Sequence, residues 1–183
     1  MAQFPKNPQR LTPYANFRFQ IVFDTDTVAG ITKVSGLARS TQVIKHREGA
    51  DPRTIHLAPG QTEYGPLTLE RGVSYDMAFA QWANKVFDYQ NSTGTAPTAM
   101  NTSLLDFRKT ITINIYNEAG QKVLAYNVYN CWVSEFKAMS ELDGLGNALV
   151  IESMTIQNEG WQRDWTVTEQ VEPSFTLPSS GGS

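Results

Sequence analysis

The chain has 183 residues, 40% hydrophobic and 11% aromatic, which suits one packed domain with a tail and excludes a largely disordered chain. Its formal charge of -3 excludes nucleic-acid binding driven by bulk charge. Cys131 is the only cysteine, which excludes an intrachain disulfide, and no apolar run has the form of a signal peptide or approaches the ~20 residues of a membrane span.

Residues 1–15 are rich in Pro and polar side chains and read as an extended arm. From Asn16 the pattern alternates, with Phe17, Phe19, Ile21 and Phe23 on one face of a half-buried strand. Asp24-Thr25-Asp26 breaks it, and Val28 to Val34 reads as one short return strand. After the Ser35-Gly36 bend, Arg39 to Glu48 alternates as another strand. Gly49 to Gly65, with Pro52, Pro59 and Gly60, reads as a long loop, and loops of about fifteen residues inside a domain are usually functional. His56 falls in this loop. Arg39, Lys45, Arg47 and Arg53 make its surroundings basic.

Leu67 and Leu69 mark a short strand ending at Gly72. A helix follows, with Ser74 as its N-cap and Asp76 in its first turn. Tyr75, Phe79, Trp82, Ala83, Val86 and Gln90 recur at helical spacing over about four turns, and Phe79, Trp82 and Val86 form the core face. Residues 91–104 are uncharged and low in complexity, and read as a flexible insertion. Ile111, Ile113 and Ile115 begin a long hairpin that turns at Asn117 to Gly120 and returns from Gln121 to Val133, ~33 Å per arm. Leu142 to Asn147 is a turn, Leu149 to Asn158 a closing strand, and residues 169–183 a loose tail. The domain thus runs from 16 to 168. About six or seven strands in short hairpins and one helix imply a mainly β fold, either a small antiparallel β-barrel or two crossed sheets with the helix packed on the side.

Chemistry has few candidates. His46 and His56 are the two histidines, without the three or four converging ligands a metal needs. Cys131 sits among Tyr129, Trp132 and Val133, as a buried thiol does. No phosphate-binding glycine loop or nucleophile elbow is present. The expectation is a protein without catalytic residues, cofactor or metal. Its work would be contact with other chains.

The order of motifs points to one family. NFRF opens the first strand, VAGITKVSGL follows, and TQVIKHREGADP leads into the long loop. PGQTEYGPLTLERG closes the loop, and FAQW falls in the helix. ITINIYNEAGQKVLAYNVYNCWVSEF and NALVIESMTIQNEGW form the second half. From about Asn16 to Trp161 this pattern resembles the inner tail-tube proteins of contractile phage tails and phage-tail-like injection systems.

The resemblance implies a structural subunit whose rings of six stack into a hollow tube inside a sheath. Its partners would be itself, the sheath protein, baseplate or tube-initiator proteins, and cargo protein or DNA in the lumen, with no stable membrane association. It further implies cytoplasmic synthesis and assembly into a particle open to release. The loop is expected to touch a neighbouring subunit through Arg47, Glu48, Asp51, Arg53, Glu63 and Tyr64. Arg47 or Arg53 is expected to pair with Glu48, Glu63, Asp143 or Glu152 across that contact. The alternative reading is a small β-barrel binding module acting as a monomer or dimer.

Overall fold

The structure, a computed structural model, describes residues 4–16, 18–24, 26–28, 30–47, 55–86, 107–142 and 149–174. The predicted insertion at 91–104 and the end of the tail lie outside these residues.

Ten strands and one helix run through the described chain: β1 (Phe19–Phe23), β2 (Asp26–Val28), β3 (Ile31–Val34), β4 (Arg39–His46), β5 (His56–Tyr64), β6 (Leu67–Gly72), α1 (Ala78–Val86), β7 (Lys109–Tyr116), β8 (Lys122–Lys137), β9 (Ile151–Gln157) and β10 (Gly160–Arg163). The predicted return strand at 28–34 is two strands. β2 folds back on β1, whereas β3 pairs with β6. Gly30 separates them at φ 79°, a left-handed conformation that costs glycine little.

The main sheet follows the order β2-β1-β7-β8-β9-β6-β3, and β10 also pairs with β8. All pairings are antiparallel. β8 belongs to two sheets. Its first half pairs with β7 and β10, and its second half, from Trp132, pairs with β9. The change falls at Asn130, which has φ 53° and donates from Nδ2 to Glu159 Oε2 at 2.6 Å. Asparagine tolerates this region better than most residues. β2 and β3, at the two ends of the path, do not pair. The architecture is therefore two crossed sheets sharing a bent strand, not a closed barrel.

Alternation along the strands fills the space between the sheets. Ile21, Phe23, Ile111, Ile113 and Val128 come from one sheet, and Leu67, Leu69, Val133, Met154 and Ile156 from the other. Phe79 and Trp82 of α1 join them, and Val86 is half-buried. Trp82 is 2% exposed, its ring 4.8 Å from that of Phe23 centroid to centroid, and its Nε1 donates to Phe107 O at 2.7 Å.

The helix is shorter than its sequence stripe. It begins at Ala78, and Tyr75 is fully exposed. Asp76, not Ser74, serves its start: Asp76 Oδ1 accepts the Ala78 N–H at 3.0 Å, while Ser74 Oγ accepts the N–H of Asp76. The Ala78 N–H and the Arg71 guanidinium hold the Asp76 carboxyl below its ordinary pKa. Arg71 is 1% exposed. It donates to Glu152 on β9, to Asp76 Oδ2 at 2.7 Å and to Asp76 O, and lies 4.2 Å from the centroid of the Phe79 ring. One buried cation thus joins β6, β9 and the entrance to α1.

The N-terminal segment, read as extended, makes tight turns, with Phe4 bridged to Asn7. Arg10 donates to Glu118 at 3.1 Å and to Glu172, and stacks over Tyr14 at 4.2 Å. Asn7 donates to Glu169 at 2.8 Å and to Gln170 O at 2.9 Å. Residues 169–172, read as part of a loose tail, are therefore tied to the N-terminal segment.

Trp82→Ala removes the largest buried side chain and should cost ~3–5 kcal/mol in urea unfolding; a loss below ~1 kcal/mol would contradict its place in the core. Arg71→Met leaves Glu152 buried without its cation and should cost ~3–5 kcal/mol at pH 7. Arg71→Met with Glu152→Met should recover most of that loss. Equal melts for the single and double variants would show that the pair is not coupled.

Candidate functional site

The segment predicted as a loop from Gly49 to Gly65 is in its second half a strand. β5 pairs with β4 from Arg39↔Tyr64 to His46↔His56 and forms a separate two-stranded sheet. Pro59 and Gly60 read as a turn, but a proline is tolerated on an edge strand or at a bulge, where no N–H is needed. Here Pro59 faces Val43 beside a register shift between Thr41 and Val43. At Gly60 a Cβ would lie 3.1 Å from both Gln42 O and Ile44 Cγ1, so glycine lets the strands close up. Thr41 and Thr62 share a hydroxyl bond of 3.0 Å across the ladder.

The hairpin is anchored at its root. Gly65 N–H donates to Ala38 O at 3.0 Å, Asn158 Nδ2 to Gly65 O at 2.9 Å, and Trp161 Nε1 to Ala38 O at 3.4 Å. The Tyr64 ring lies against Gly160, where a Cβ would stand 3.6 Å from it. Beyond the root the hairpin is bare. Every residue of β4 is exposed, and in β5 only Gly60 and Tyr64 are partly covered. Val43 and Ile44 are neighbours and so point to opposite faces, yet both are exposed, as are Ile55 and Leu57, the last by 66%. A two-stranded hairpin with no buried face is marginal in water, so this geometry calls for a partner.

The predicted contact residues divide. Arg47 stands just past β4, and Glu63 is exposed on β5 opposite Ser40. Tyr64 packs at the root. Glu48, Asp51 and Arg53 lie outside the described residues, as does Asp143. Glu152 is not available to Arg47 or Arg53 of another subunit, because Arg71 already holds it in the core. Apart from Tyr64 the predicted residues are charged, and the sequence reading does not single out the exposed apolar Val43, Ile44, Ile55 and Leu57. Their signal was present: four apolar side chains with no core periodicity in a polar stretch.

His46 and His56 face each other across the hairpin, not strand against loop. Among the described residues no three His, Cys, Asp or Glu side chains gather as a metal site. No described helix is long and apolar enough to cross a membrane. A groove of about 940 Å³ opens beside the root, lined by Tyr14, Phe19, Leu37, Leu124, Tyr126 and Trp161 among others. Cys131 is fully buried, and burial pushes its thiol pKa up to about 12. A thiol reagent at pH 8 should therefore leave the native protein unmodified and label one site per chain in denaturant. Rapid labelling of the native state would contradict this burial.

Residues 15–162 match the family of the T4-like virus tail tube protein gp19. The chain belongs to that family and is a structural subunit of an inner tube of a phage tail or contractile injection system. Its fold is similar to that of solved tube-bearing assemblies. A chain of the sheath–tube complex of the extracellular contractile injection system PVC, in its extended state, is 21% identical. That match covers 84% of this chain and 93% of that one, with a TM-score of 0.65. A chain of the anti-feeding prophage baseplate is also 21% identical over 84% of this chain and 97% of its own, again with a TM-score of 0.65. The SPP1 tail tube is 13% identical over 92% and 93%, with a TM-score of 0.51. At these identities the likeness is one of fold. No curated protein matches the sequence.

Proposed function

We propose that this subunit forms six-membered rings that stack into a hollow tube inside a contractile sheath, seated on a baseplate or tube initiator. The observation that carries the proposal is the β4–β5 hairpin, whose two faces are both exposed and carry apolar residues. Such a surface is stabilised by burial against another chain. The fold relatives in a sheath–tube complex and a baseplate support the partners named. Residues 16–168 are the tube domain, and the lumen conducts protein cargo or DNA. The particle is assembled in the cytosol and open to release from it.

Contacts between subunits bury the hairpin, with Arg47, Glu48, Asp51, Arg53 and Glu63 supplying polar contacts and Tyr64 holding the root. Interfaces of this obligate kind commonly bury more than ~2,000 Å². An interfacial ion pair is worth between ~0 and several kcal/mol, but a tube repeats each contact along its length.

Negative-stain electron microscopy of the purified chain should show six-fold rings or tubes. A uniform 20.4 kDa species would overturn the proposal and favour a monomeric binding module. Arg47→Glu with Arg53→Glu should shorten the tubes while circular dichroism stays unchanged. Tubes of normal length from that variant would remove these arginines from the contact.

A further inference from the structure

His46 and His56 are the last pair of the β4–β5 ladder at its outer end, and both are exposed. Directly opposed residues of an antiparallel ladder point to the same face, with Cβ atoms ~4.5–5.5 Å apart. The next pair on that face is Ile44 with Ala58. Lys45 and Leu57, which pair between them, point to the other face. The two imidazoles therefore stand side by side, and the adjoining pair on their face brings no cation.

A zinc ion bonded to two nitrogens at ~2.0–2.1 Å each holds them about 3.3 Å apart at a tetrahedral angle. Rings that leave Cβ atoms this close together need only lean towards each other to reach that separation. Imidazole suits zinc, copper and nickel, whereas Mg2+ and Ca2+ prefer oxygen. The chain has no other histidine, and its one cysteine, Cys131, is fully buried. An ion held by two imidazoles of one chain is therefore held by this pair.

We propose that His46 and His56 form a two-nitrogen chelate for a divalent transition-metal ion of the zinc, nickel or copper class, and that the bound ion pins the outer end of the hairpin. Two protein ligands are fewer than the four of a structural zinc site, so water fills the remaining positions and the ion exchanges. The ladder is one that a link would stabilise. Pro59 brings no N–H to it, its register shifts between Thr41 and Val43, and neither face is buried. Sliding β5 by one residue would put the two rings on opposite faces, so the ion binds the native register and favours it. A link at the outer end also closes the chain between the two histidines and removes freedom from it. The site belongs to a single subunit and does not depend on tube formation.

The test uses the full chain without an affinity tag. Equilibrium dialysis against zinc chloride should load one ion per chain, and excess Mg2+ should leave that uptake unchanged. Cu2+ bound instead should show superhyperfine coupling to two nitrogens in its electron paramagnetic resonance spectrum. His46→Gln and His56→Gln should each remove the uptake while leaving the thermal melt of the metal-free protein unchanged. Hydrogen exchange of the β4 and β5 amides should slow on adding zinc to the wild type. Equal uptake by all three proteins, or coupling to a single nitrogen, would mean an adventitious ion only and would overturn the proposal. Two-nitrogen coupling kept by either single variant would show an ion shared between copies and would overturn the intrachain site. Uptake with unchanged exchange would overturn the pinning of the hairpin. If a variant failed to fold, the copper spectrum and the exchange of the wild type would decide.

Discussion

β8 must satisfy two sheets at once, and the rest of the structure depends on how it does so. A straight strand as long as Lys122–Lys137 would extend one flat sheet and leave its ends uncovered. The left-handed turn at Asn130 redirects the chain, so that Val128 and Val133 reach the same core from different sheets. On the opposite edge the chain breaks in step, with β9 ending at Gln157 and β10 beginning at Gly160. Crossed sheets leave an open corner, and the aromatic face of α1 fills part of the space between them.

The hairpin obeys the opposite logic. The core leaves Ile21, Leu67 and Met154 with no exposed surface at all, whereas the hairpin leaves Val43, Ile44, Ile55 and Leu57 exposed on both of its faces. A monomer would blunt such an edge or cover it. This chain ties it at the root through Asn158, Trp161 and Tyr64 and leaves the remainder exposed. Membership of a tail tube family gives that choice a reason under the proposed assembly, in which another copy supplies the missing cover.

Charge follows the same division between inside and outside. The carboxylates of Asp76 and Glu152 serve Arg71, and those of Glu118 and Glu172 serve Arg10. Buried guanidinium groups require such partners, since an unpaired charge in the core costs several kcal/mol. Of these four acids only Glu152 is itself buried, and Asp76, Glu118 and Glu172 stay partly open to solvent beside their arginine.

The sequence by itself determined the elements whose side chains alternate against a core. Phe19 to Phe23, Ile111 to Ile115 and the pairing of Phe79 with Trp82 were legible because burial imposes a period on the chain. The family, too, was legible in the order of its motifs. Tertiary structure alone decided the rest. β5 carries no apolar period, since neither of its faces meets a core, so Pro59 and Gly60 looked like a turn. Val28 to Val34 looked like one strand, although its halves serve different sheets across Gly30. Glu152 looked like a surface acid until β6 placed Arg71 beside it. Periodicity records whether a side chain is buried within its own subunit. It says nothing about partners brought together from distant parts of the chain, or about surfaces kept for another molecule.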